Sequence, residues 1–160
     1  MTYCGPYSMA TIVYENDDVY YKGVVTTPGT ILDELNRTYP RFTSLIITGN
    51  LAKLYDVYIN DDYRDDKLTV FVPLYIPDKN YSIEESIAAC KMSTLRGRIS
   101  LDTLRSSPRM VLKSLNAFND VIVESYETST FVNGSKISVD KIASCSNGNI
   151  VPIEYPIWRY

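Results

Sequence analysis

The chain has 160 residues, 45% of them hydrophobic and 22% charged, and a formal net charge of −3. These values describe a globular chain long enough to bury its own core without metal or disulfide staples, and they exclude a broad basic surface for a phosphate backbone, so no nucleic-acid partner is expected. The sequence contains no histidine, which also excludes a His-based metal site and the Ser-His-Asp and Cys-His routes to an activated nucleophile.

Residues 1–18 lack the basic start and apolar run of a secretory signal. No stretch approaches the roughly 18 apolar residues of a membrane span. The chain is therefore expected to act where it is made, in an intracellular or virion-associated assembly, or at the cell surface or beyond if an export signal has been trimmed. Thr11 to Tyr14 alternate in character, Glu15 to Asp18 form an acidic break, and Val19 to Val25 follow, a pattern of two short strands around a turn. Residues 1–27 are read as a strand extension of a domain over 28–157, with 158–160 as a tail.

Thr30 is placed to cap a helix whose first turn carries Asp33 and whose apolar side is Ile31, Leu32 and Leu35. Pro40 limits that helix. Phe42, Leu45 and Ile46 share the next helical face, and Asn50 opens a third segment with Leu51, Leu54 and Tyr55 aligned. Leu68 to Val72 reads LTVFV, an uninterrupted apolar run expected to form a buried strand ending at Pro73. Ser82 and Glu85 match a capping box for a helix to Met92, with Ile83 and Ile87 on one face. Ser100 caps a shorter turn that directs Leu101 and Leu104 inward.

The remainder reads as strands. Met110, Leu112 and Leu115 alternate, as do Val121 and Val123, and Thr130 to Val132 run into the Asn133-Gly134 hairpin. Ile137 and Val139 are expected to continue that strand. After the Asn147-Gly148 turn, Ile150, Val151 and Ile153 supply the last one. The pattern predicts a helical first half feeding a strand-rich second half.

Few residues carry recognisable chemistry. Cys4, Cys90 and Cys145 allow at most one internal bridge, and free, buried or partly buried thiols are the expected state. Ser144, Cys145 and Ser146 are nucleophiles without an identifiable base, so turn or core roles are expected. Asp61, Asp62, Asp65 and Asp66 lack the glycine and terminal glutamate of a calcium loop and read as a solvated segment. Of the fourteen tyrosines, Tyr3, Tyr7, Tyr14, Tyr20 and Tyr21 cluster early, and Tyr55, Tyr58 and Tyr63 bracket the acidic segment. Either group can supply an interface, because tyrosine combines apolar area with a hydroxyl. Asn36, Asn80 and Asn133 open glycan-acceptor tripeptides, although the turn already accounts for Asn133 and helix capping for Ser82. No catalytic, cofactor or metal residue is assigned.

The order of these motifs resembles a fasciclin domain. Ile31 to Ile59 is similar to the family's opening helical block, and LTVFVP, Leu68 to Pro73, to its strand signature. Met92 to Leu104 resembles the segment around its Tyr-His pair, and Phe131 to Ile157 its Asn-Gly hairpin, second Asn-Gly turn and final strand. Two positions depart from the pattern: Met92 and Ser93 stand where the pair is found, and no histidine occurs near Ile150 to Ile153.

The resemblance implies an α+β fasciclin-like fold, with a helical first half packed against a strand-rich β-sandwich or wedge. It also implies a non-catalytic, adhesion-type module that binds a protein partner or itself and uses no cofactor. The alternatives are a structural assembly protein such as a minor virion component, and an enzyme with an unrecognised carboxylate or metal site.

Overall fold

A computed structural model describes residues 29–56, 67–116 and 118–158, together with the backbone of three short strands before them. Those strands are β1 (Thr2–Tyr3), β2 (Val13–Glu15) and β3 (Asp18–Tyr20). The helices are α1 (Ile31–Thr38), α2 (Pro40–Thr48), α3 (Ala52–Asp56), α4 (Ile83–Met92) and α5 (Leu101–Leu104). The remaining strands are β4 (Leu68–Pro73), β5 (Thr94–Arg96), β6 (Arg109–Lys113), β7 (Asp120–Ser125), β8 (Thr130–Val132), β9 (Ser135–Lys136), β10 (Ala143–Cys145) and β11 (Gly148–Ile153).

Three layers result. A five-stranded sheet, ordered β1-β10-β11-β4-β5, lies between the helices on one side and a four-stranded antiparallel sheet, β6-β7-β8-β9, on the other. Its centre is the parallel pair β4 and β11, in register from Leu68 against Gly148 to Pro73 against Ile153. Strand side chains alternate between faces. Leu68, Val70, Val72 and Ile150 therefore join the helical core with Ile31, Leu35, Phe42 and Ile46. Phe71, Val151 and Ile153 face Val121, Val123 and Val132 of the second sheet. The unbroken apolar run LTVFV is thus explained, because every β4 residue is buried, some against helices and some against strands.

Local chemistry sets the element ends. Thr30 with Asp33, and Ser82 with Glu85, form complete capping boxes, and the Ser100 side chain accepts from Thr103 N. Pro40 opens α2 instead of breaking a longer helix. The third helix begins at Ala52 and not at Asn50, whose φ of 55° takes it out of helical geometry. Asn133 and Gly134 have φ of 47° and 81°, as the tight β8-β9 hairpin demands. Gly148 has no room for any side chain, because a Cβ there would run into the Leu68 carbonyl and the Ile31 side chain.

The second half departs from expectation in three places. Ile137 and Val139 do not extend β9: Ile137 makes one isolated bridge to Ile153, and Val139–Lys141 form a 3-10 turn. Leu115 lies past the end of β6 and packs against the helical core, its N–H donating to Thr94 O at 2.9 Å. Trp158, assigned to a tail in the sequence reading, is 5% exposed and packs on Phe42 with ring centroids 6.3 Å apart.

Candidate interaction surface

The carboxyl ends of β4 and β11 stop side by side, and hydrogen bonding continues just past them. Leu74 N donates to Ile153 O at 2.7 Å, Tyr75 N to Glu154 O at 3.3 Å, and Tyr155 N to Ser135 Oγ at 2.7 Å. This ladder fixes three large side chains that the core does not take up: Leu74, Tyr75 and Tyr155 are 41%, 54% and 56% exposed. The two tyrosine rings meet edge to face, with centroids 6.3 Å apart and planes at 74°, a favoured aromatic geometry.

Leu74 also stands between two hollows. One, of about 240 Å³, is walled by Tyr39, Pro40, Phe42, Pro73 and Ile76; the other, of about 530 Å³, by Glu34, Tyr39, Asp140, Lys141 and Ala143. Burial, and then the nearby Glu34 carboxylate, raise the Tyr39 pKa, so its phenol stays protonated. The result is an apolar and aromatic surface bordered by polar side chains on ordered backbone.

A third hollow, of about 390 Å³, lies beside α4 and is lined by Tyr81, Ala88, Met92, Asn119, Asp120 and Trp158. Met92 reaches this wall, whereas Ser93 is buried and its hydroxyl donates to Ala89 O at 2.8 Å. Ser93 therefore closes the helix end and offers no side chain to solvent.

Among the described residues, those singled out from sequence are not brought together into a reactive centre. Ser144 Oγ accepts from Arg98 Nη1 at 2.8 Å, and the buried Ser146 hydroxyl has no hydrogen-bond partner among the described residues. Cys145 is engaged in a disulfide, which corrects the expectation of a free thiol at that position. Cys90 is a free, buried thiol, and burial pushes its pKa up to about 12. Asp61, Asp62, Asp65, Asp66, Tyr58 and Tyr63 lie outside the described residues, as do the side chains of Tyr3, Tyr7, Tyr14, Tyr20 and Tyr21.

Tyr55 is not an interface residue. It is fully buried, and its hydroxyl pairs with Thr94 Oγ1 at 2.8 Å and donates to Cys90 O at 3.2 Å. Asn36, Asn80 and Asn133 are all exposed, and Asn133 Oδ1 accepts from Ile122 N at 2.7 Å. Among the described residues no group of three His, Cys, Asp or Glu side chains could hold a metal ion, and no helix is long and apolar enough to cross a membrane.

Two further residues, whose bonding roles were not read from the sequence, organise the opposite end of the central strand pair, where β4 and β11 begin. Arg98 donates through Nη1 to Ser144 Oγ, Asn149 Oδ1 and Gly148 O, and through Nη2 to Cys145 O and Ser146 O. Asn147, 2% exposed, accepts from Ile31 N and donates to Tyr55 O. Neither role leaves a local sequence signal.

No protein-family model matches the chain, and no curated protein matches it by sequence. Among solved structures it is similar to a FAS1 domain pair from the insect cell adhesion molecule fasciclin I, with a TM-score of 0.61 at 14% identity. The match covers 94% of this chain and 59% of the length of that one. Helices on one face of the first sheet, a second sheet on the other and a matching solved structure agree: this chain has a fasciclin-like fold.

Proposed function

We propose that this chain is a non-catalytic, adhesion-type module that binds a protein partner through Leu74, Tyr75 and Tyr155. The observation that carries this reading is the edge-to-face tyrosine pair, exposed on the ends of the two central strands. Binding energy at protein interfaces concentrates in a few aromatic anchors with polar surroundings, and the surface has that composition. Rigid backbone beneath the rings lowers the entropy lost on docking. The shared fold with a domain pair from a cell adhesion molecule supports the same class of role.

The test is attachment of cells from the native source to surfaces coated with the wild-type chain or with the Tyr75→Ala/Tyr155→Ala double variant. Attachment to the wild type, and its loss with a folded double variant, is the expected result. Equal attachment to both would move the binding surface elsewhere. Turnover of a defined substrate by the isolated chain would overturn the non-catalytic reading.

A further inference from the structure

β6 ends the four-stranded sheet, and among the described residues no strand lies on its outer side. The direction of its backbone groups follows from its pairing with β7. Ser125 N donates to Pro108 O at 2.9 Å and Ser114 N to Asn119 O at 3.5 Å. Hydrogen-bonded pairs alternate with non-bonded pairs in an antiparallel ladder, so Met110 and Leu112 bond to β7, and the N–H and C=O of Val111 and Lys113 point outward. The outer face of the same strand presents Arg109, Val111 and Lys113, with Val111 49% exposed.

The end of this strand runs into a hollow of about 480 Å³ lined by Leu54, Lys91, Arg96, Lys113, Ser114 and Leu115. Among the described residues that line it, three side chains are cations and none is a carboxylate. Lys113 is paired with Asp120 at 2.5 Å. Among the described residues Lys91 and Arg96 have no ion pair.

We propose that the β6 edge is a docking strand for an extended, acidic segment of a partner protein. The segment adds to the sheet as a further strand, bonded to the outward N–H and C=O groups of Val111 and Lys113, and sets alternate carboxylates against Arg109, Lys113, Lys91 and Arg96. Strand addition of this kind takes affinity from main-chain bonds and selectivity from alternate side chains. Charge decides between this occupant and a second copy of the chain. Two β6 strands pairing antiparallel about Val111 would put Arg109 of one opposite Lys113 of the other, and like charges directly opposite are destabilising. Edge lysines commonly serve to keep neutral strands away; an acidic strand is the kind they admit. This surface goes beyond the tyrosine surface, and the two fail independently.

The test uses fluorescence anisotropy with two labelled peptides, one alternating Glu with Val and one alternating Lys with Val. The glutamate peptide is expected to bind saturably and to weaken with added salt, and the lysine peptide to show no saturable binding. Val111→Pro, which removes an outward N–H and no bond to β7, and Lys91→Glu/Arg96→Glu should each weaken binding by about tenfold or more. Both variants are checked for folding by circular dichroism. On the unmodified chain, hydrogen exchange at the Val111 and Lys113 amides should slow when the glutamate peptide is bound, so the proposal stays testable if Val111→Pro fails to fold. Tyr75→Ala/Tyr155→Ala should leave peptide affinity unchanged. Equal binding of both peptides, no binding of the glutamate peptide, unaltered exchange at the two amides, or a dimer in sedimentation that Val111→Pro dissolves would each overturn the proposal.

Discussion

The side-chain oxygen of Asn147 accepts the Ile31 N–H at 2.7 Å, joining the start of the first helix to the turn before the last strand. The same side chain donates to Tyr55 O at 2.9 Å, and its backbone carbonyl accepts from Leu68 N at 3.1 Å. One buried asparagine thereby holds α1, α3 and β4 to a single turn, the first two through its side chain and the third through its backbone. Asn147→Ala leaves an N–H and a C=O buried without partners and is expected to cost about 3 kcal/mol, since each such orphan costs about 1–3 kcal/mol. Urea unfolding should show a lower midpoint with the slope unchanged. Asn147→Asp keeps the acceptor and loses the donor, so it should not restore the midpoint.

Arg98 spans five acceptors, all neutral, around the β10-β11 turn. Arg98→Ala is expected to destabilise by about 2 kcal/mol, the range for hydrogen bonds from a charged group. Arg98→Lys should recover less than half of this in urea titration, because an ammonium cannot reproduce the planar fork.

Glu85 provides a pH signature. The hydrogen bond from Lys79, followed by the capping bond from Ser82, lowers its pKa from 4.5 to about 2. A carboxylate whose folded pKa lies below its unfolded value stabilises the fold fully above the unfolded value and loses that contribution as pH falls through the folded one. Thermal melts of the wild type and Glu85→Gln should therefore differ by a constant amount above pH 4.5 and converge as pH approaches 2. Added salt should narrow the gap, because the ion pair is exposed.

Cys90 is 0% exposed, with its thiol pushed up to about 12. Since the thiolate is the reactive form, iodoacetamide near neutral pH should leave Cys90 unmodified in the folded chain. Mass spectrometry across a urea titration should show labelling rise with the unfolding transition and not before it.

What the sequence revealed follows the range of the interactions involved. The caps at Thr30, Ser82 and Ser100, and the Asn133-Gly134 hairpin, depend on neighbours within a few residues and were legible from them. LTVFV was legible because a strand covered on both faces needs no polar positions. The alternation of Ile137 and Val139 misled, since period two records burial and not the presence of a partner strand, and only Ile137 finds a bridge. The long-range hydrogen bonds of Tyr55, Asn147 and Arg98 were illegible because their partners are brought to them by the fold. The Tyr75-Tyr155 pair was missed for the same reason, although a short signal existed: each tyrosine lies within two residues of the strand-ending Pro73 or Ile153 and is followed closely by a proline, Pro77 or Pro156.

The position of β11 governs how the chain acquires its shape during synthesis. This strand leaves the ribosome after every other described strand, yet it lies at the centre of the first sheet, between β10 and β4. Until Ile153 emerges, β4 has no partner on that side, and Phe71 has only part of its enclosure. The helices can fold early on local contacts, but the sheet must wait for this late, non-local pairing, which is a slow step. A nascent chain paused before Gly148 therefore displays an apolar strand edge, making this interval the one in which chaperone binding or aggregation compete with folding.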